Sequence, residues 1–144
     1  NASYYRWVNT NERGFRGTRP TAIEAPAGSV RLFAIGGSTT FDAFVNSDSA
    51  TWPARLEQSL RQDAALTRVE VVNAGVSGYG VRQDLARLQS ELLEFKPDAL
   101  LFLQGHNDLF GLLASAQPAP ATDTPGAVKP FSSATYWLER NSLL

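Results

Sequence analysis

Three short stretches gather small residues and hydrogen-bonding groups: Gly36-Gly37-Ser38-Thr39-Thr40, Asn73-Ala74-Gly75-Val76-Ser77-Gly78 and Gly105-His106-Asn107-Asp108. Transfer of an acyl group needs a nucleophile such as a hydroxyl, with donors aimed at the oxygen that turns negative in the tetrahedral intermediate. Ser38 supplies the hydroxyl. The two glycines before it permit a sharp strand-to-helix turn that exposes it, and backbone N–H groups at a helix start are natural donors to an oxyanion. Gly75 offers a backbone N–H unobstructed by a side chain, and the Asn107 amide offers another donor from the third stretch. Each residue also has a plainer reading. Ser38 fits a helix N-cap or a turn serine, Gly75 a turn glycine, and Asn107 and Asp108 caps of the following helix. Asn73 is expected to bond loop backbone rather than substrate. His106 reads equally as a pocket-rim residue or a structural hydrogen-bond partner, and Trp7, Trp52 and Trp137 as core or rim aromatics.

The elements around these stretches explain how they could meet. Val30-Arg31-Leu32-Phe33-Ala34-Ile35 is a short apolar run ending in a tight turn, as in a buried parallel strand. From Thr51 to about Gln62, Trp52, Leu56 and Leu60 recur at helical spacing, with Pro53 in the first turn. Val69-Glu70-Val71-Val72 reads as a second strand. A second helix carries Leu85, Leu88, Leu92 and Phe95 on one side and ends before Pro97. Ala99-Leu100-Leu101-Phe102-Leu103 is apolar on both alternating faces, as a strand covered by helices on both sides should be, and Gln104 to Asp108 is read as the loop at its end. The order predicts a parallel sheet whose strand-to-helix loops share one edge, where open α/β sheets hold their ligands.

Residues 1–29 read as an N-terminal arm, 114–130 as a Pro/Ala-rich loop or linker, and the end from Ser132 as a short helix with Tyr136, Trp137 and Leu138. With 144 residues, 43% of them hydrophobic, one globular domain is the default. Thirteen Lys and Arg stand against 14 Asp and Glu, for a net charge of -1, with no long run of either sign, which argues against nucleic acid and charge-held lipid surfaces as partners. The chain has no Cys and one His, which excludes disulfides, thiolate metal sites and His-rich metal sites. No apolar run approaches the roughly 20 residues of a membrane span, so this segment is expected to be soluble. Met is absent even from position 1, so Asn1 is read as following a removed or omitted upstream segment.

A strand closing in Gly-Gly-Ser-Thr-Thr, a strand closing in Asn-Ala-Gly and a strand closing in Gly-x-Asn-Asp, in that order, resemble the first three sequence blocks of the SGNH (GDSL-like) hydrolases. The stretch from Asn11 to Gly17 resembles the lead-in of many bacterial members. The resemblance implies a three-layer α/β/α, flavodoxin-like fold with a parallel sheet, of which residues 1–144 are the N-terminal portion, ending after the third strand. It implies Ser38 as nucleophile and an oxyanion hole of the Ser38 N–H, the Gly75 N–H and the Asn107 side chain. The family takes its base and orienting acid from an Asp-x-x-His motif near the C-terminal end of the domain, and nothing here matches it. His106 occupies the variable position of Gly-x-Asn-Asp and is not read as the base. The expectation is that a missing C-terminal segment or a partner chain supplies His and Asp, and that a three-strand portion exposes apolar surface.

The implied activity is hydrolysis of a carboxylic ester, such as the O-acetyl group of a carbohydrate or a short acyl chain, with no metal or organic cofactor. The alternatives are an O-acyltransferase of the same fold and a catalytically incomplete carbohydrate- or acyl-binding module. An origin outside the cytoplasm, secreted or membrane-anchored, rests on the resemblance. Nucleotide binding is weaker, because Gly36-Gly37-Ser38 lacks both Gly-x-Gly-x-x-Gly and the Gly-Lys-Ser/Thr of a phosphate loop.

Overall fold

The computed structural model describes residues 8–116. Trp7, Trp137, the greater part of the Pro/Ala-rich stretch and the helix expected from Ser132 lie outside the described residues. The elements are β1 (Val30–Gly36), α1 (Ser38–Phe41), α2 (Trp52–Leu60), β2 (Val69–Asn73), α3 (Val81–Ser90), β3 (Ala99–Leu103) and α4 (His106–Ala116). Short 3-10 turns form at Asp48–Ala50 and Leu92–Phe95.

The three strands are parallel in the order β2-β1-β3, with Phe33 opposite both Val72 and Leu100. Alternation along β1 divides the core. Phe33 and Ile35 face one layer, where Phe15, Val72, Ala74, Leu92 and Phe95 are buried with them. Ala34 faces the other, with Val69 and Val71 and the half-buried Leu32, Trp52, Leu56 and Leu60. Helix α2 therefore covers one face and α3 with its following turn the other, giving three layers.

Phe15 is what the reading of the arm omitted. It sits edge-on to Phe33 at 5.4 Å and to Phe95 at 5.3 Å, in the middle of the larger cluster. The arm is tied down by an antiparallel bridge in which the Arg16 N–H donates to the Asn73 carbonyl at 3.0 Å. Arg31, buried on β1, donates to Glu70 at 2.7 Å and to the Ala22, Ile23 and Phe95 carbonyls, which satisfies its charge inside the fold.

The single helix expected to carry Leu85 through Phe95 is instead two pieces. It breaks at Glu91 and retightens into the 3-10 turn, closed by Lys96 in the left-handed region at φ 50°. Three-residue spacing places Leu92 and Phe95 one above the other on the core, whereas Leu85 stands half exposed outside it. Strand β3 also departs from expectation. Among the described residues only Leu100 packs on a core cluster, and Phe102 is 52% exposed. No helix among the described residues is long and apolar enough to cross a membrane.

Candidate active site

From β1 the chain crosses to β2 on one side, and from β2 it returns past β1 to β3 on the other. That reversal opens a crevice at the carboxyl ends of β1 and β3. Gly36 and Leu103 are register partners there, so the Gly37-Ser38 turn and the loop that begins at Gln104 emerge side by side.

Ser38 is the first residue of α1, and Gly37 takes the N-cap position in place of the serine. The hydroxyl is half-buried and meets no hydrogen-bond partner among the described residues, and the Ser38 N–H lies in the first turn, where helix geometry supplies no acceptor. The one-turn helix closes at Asp42 in the left-handed region, and the Asp42 carboxylate accepts the Trp52 N–H at 2.9 Å, capping α2. The two glycines before Ser38 are needed for closeness rather than for unusual dihedrals, since neither has positive φ. A Cβ on Gly36 would overlap the buried Thr40 side chain and the Leu103 carbonyl. One on Gly37 would lie 2.7 Å from Asn107 Nδ2 and 3.0 Å from the Tyr79 carbonyl.

The second loop runs alongside, its Val76 N–H donating to the Gly36 carbonyl at 2.8 Å. Gly75 is buried, and a Cβ there would strike the backbone of Thr40 and Phe41. Its N–H is not unobstructed, as the sequence had suggested, but donates to Asn73 Oδ1 at 3.1 Å in a local Asx-type turn. The Asn73 amide in turn donates to the Thr40 carbonyl at 2.9 Å, so Asn73 bonds loop backbone as expected.

The third loop is shorter than expected, because α4 begins at His106 and places Asn107 and Asp108 in its first turn. Gly105, at φ 116°, makes the sharp entry, and its carbonyl accepts the Leu109 N–H at 2.9 Å. Asn107 Nδ2 donates to the Tyr79 carbonyl at 2.7 Å, which uses one of its two hydrogens. Asp108 caps α3 rather than its own helix, its oxygens accepting the Val81 N–H at 3.1 and 3.2 Å. Behind them, Gln104 Nε2 donates to Asp84 Oδ2 of α3 and, at 3.4 Å, to the Tyr79 carbonyl. Burial pushes the Asp84 carboxyl above the ordinary aspartate range, aided by the Asp108 charge, although Gln104 and Arg87 pull the other way. His106 is exposed and stacks edge-on to Phe110 at 4.8 Å. No group of three His, Asp or Glu among the described residues could hold a metal ion.

Ser38, Gly75 and Asn107 thus lie at one edge of the sheet, and all three fall within residues 34–133, which match the GDSL-like lipase/acylhydrolase family. The chain belongs to this family. Among solved structures it is similar to AlinE4, described as an SGNH-hydrolase family esterase, at 31% identity and a TM-score of 0.48, over 58% of this chain and 43% of that one. Two AlinE4 mutants give 31% and 30% identity with TM-scores of 0.48 and 0.47. The chain thus spans 43% of the length of these structures. No curated protein matches it.

A groove of about 440 Å³ in this family member lies elsewhere, between the arm and α2, lined by Arg16, Arg19, Asp48, Glu57 and Thr51 among others. Its charges are matched internally: Arg16 pairs with Asp48, and Arg19 with Glu57 at 2.8 Å. Sequence reasoning missed Asp84, Gln104 and the Tyr79 carbonyl. A readable signal existed for the first, since position 84 shares a helical stripe with Leu88 and so puts a carboxylate on the face of α3 turned to the core.

Proposed function

We propose that this chain carries the nucleophile side of a serine ester hydrolase. Ser38 is the nucleophile, and the Ser38 N–H, the Gly75 N–H and the Asn107 amide are the oxyanion donors. The observation that carries the reading is the lodging of the Asn107 amide against Gly37, one residue before Ser38, at the switch point of the sheet. Membership of a lipase/acylhydrolase family supports the same chemistry.

In this reaction Ser38 Oγ bonds to the carbonyl carbon of a carboxylic ester as its proton passes to a base. The carbon–oxygen bond to the alcohol then breaks, the alcohol takes that proton, and water releases the acid and restores the hydroxyl. Asn107 has a second amide hydrogen for the oxyanion, and Gly75 becomes a donor once the Asn73 side chain yields it. The reading leaves the imidazole base to a further segment or a partner chain, because the one His in these residues, His106, occupies the variable position of Gly-x-Asn-Asp. The substrate class is an ester of a short acyl group, such as an O-acetylated carbohydrate.

The test is fluorophosphonate labelling of the full-length protein. Labelling and esterase turnover are expected to vanish in Ser38→Ala, and Asn107→Ala is expected to lower kcat by about 100-fold, as loss of one oxyanion donor does elsewhere. A Ser38→Ala protein that keeps its esterase activity would overturn the assignment. The lone His106, exposed and stacked on Phe110, favours one other reading, an acyl- or carbohydrate-binding module. Saturable binding of an acylated saccharide, without turnover or labelling, would establish that instead.

A further inference from the structure

We propose that Asp84 is a positioning residue that fixes the direction of the Asn107 amide through Gln104 and the Tyr79 carbonyl. The inference rests on the reading of Asn107 as an oxyanion donor.

Asp84 is 1% exposed, and its Oδ1 is buried without a hydrogen-bond partner. Folding disfavours a carboxylate so placed, and a buried polar group retained at such a cost calls for an explanation. Its other oxygen receives Gln104 Nε2. The same nitrogen reaches the Tyr79 carbonyl at 3.4 Å, and Asn107 Nδ2 reaches that carbonyl at 2.7 Å. A carbonyl has two lone pairs, enough to accept both side-chain amides that reach it here.

The side-chain amide of Gln104 has an N–H end and an oxygen end. With Asp84 as acceptor, only one orientation is favourable, because the flipped amide would turn Oε1 toward both the carboxylate and the Tyr79 carbonyl. Gln104 held in this way occupies one side of the Tyr79 oxygen and leaves the other to Asn107. The amide of Asn107 is then directed before substrate arrives, which is how a donor stabilises a transition state without reorganising. Helix α3 steadies the second loop as well, since Arg87 donates to the Ala74 carbonyl at 2.7 Å next to Gly75.

The experiment is steady-state kinetics on the full-length protein with Asp84→Ala, Asp84→Asn, Gln104→Ala, the double alanine variant and Asn107→Ala. Asp84→Ala is expected to lower kcat by about tenfold with KM within about twofold of wild type, the pattern of an interaction felt in the transition state. Gln104→Ala should match it, and the double variant should lose no more than the worse single one, as members of one network do. Asp84→Asn keeps an oxygen acceptor and should recover most of the loss. The side-chain amide resonance of Asn107, identified by its disappearance in Asn107→Ala, should shift in Asp84→Ala.

An unshifted resonance, independent losses from Asp84 and Gln104, or no recovery in Asp84→Asn would each overturn the proposal. If Asn107→Ala keeps wild-type kcat, the oxyanion reading fails and takes this inference with it. If Asn107→Ala loses activity while Asp84→Ala does not, the inference alone fails.

Discussion

Gly75 shows how small size, rather than backbone freedom, can determine a residue at the candidate site. Its φ is not positive, yet a Cβ would meet the Phe41 and Thr40 backbone, which cannot swing aside as a side-chain tip can. Gly75→Ala is therefore expected to destabilise the protein by about 1–3 kcal/mol, as overpacking does, and to displace α1. Gly78 is the opposite case, with open space around it and φ 87°. Gly78→Ala is expected to cost about 1–2 kcal/mol through backbone strain while leaving α1 in place. Thermal melts measure both costs, and fluorophosphonate labelling of Ser38 separates them, since only the Gly75 variant should slow it. Equal labelling rates would mean that α1 tolerates the methyl group. The three candidate stretches were legible in sequence because small and polar residues after apolar runs are a local signal. The network behind them was not, because nothing local pairs Asp84 with Gln104, twenty residues on, or directs Asp108 to cap a helix that precedes it.

At the scale of elements, β1, β2 and β3 follow the apolar runs closely, since burial on both faces of β1 and β2 leaves an uninterrupted signal that periodicity can find. Boundaries set by tertiary contact were less legible. Phe15 lies in a polar arm and gains its place only by meeting Phe33 and Phe95. Helix α2 is fastened in a way that charge alone did not advertise. Glu57 accepts the Val71 N–H at 2.7 Å on the outer side of β2, and both of its oxygens receive Arg19. Burial pushes its carboxyl up, but the Arg19 and Val71 hydrogen bonds and the Arg19 and Arg61 charges outweigh that and hold it below its ordinary value. A carboxyl with a depressed folded-state pKa contributes stability above its unfolded pKa and loses it as pH falls through the folded value. Glu57→Gln should thus be about 1 kcal/mol less stable than wild type at pH 7. The gap should close as the pH falls below about 4. Urea melts across that range check it, and a gap that widened in acid would mean the carboxylate is not the stabilising form.

Over the whole molecule the described residues leave several large apolar side chains uncovered on β3 and α4. Phe102 and Leu103 at the end of β3, and Leu109, Phe110, Leu112 and Leu113 along α4, are each about half exposed or more, and none belongs to either core cluster. Strand β3 pairs only with β1, so its outer edge is also open among the described residues. This agrees with the apolar exposure expected of a three-strand arrangement. Large apolar side chains exposed in this number favour association, and a net charge of -1 offers little repulsion to oppose it. The 144-residue chain by itself is therefore expected to bind a hydrophobic dye and to self-associate as its concentration rises. Leu109 and Leu113 lie one helical turn apart on α4, so Leu109→Glu with Leu113→Glu should suppress both effects while leaving the thermal midpoint nearly unchanged. A chain that stays monomeric and dye-free at high concentration would show that these side chains are covered, and the double substitution would then lower the midpoint instead.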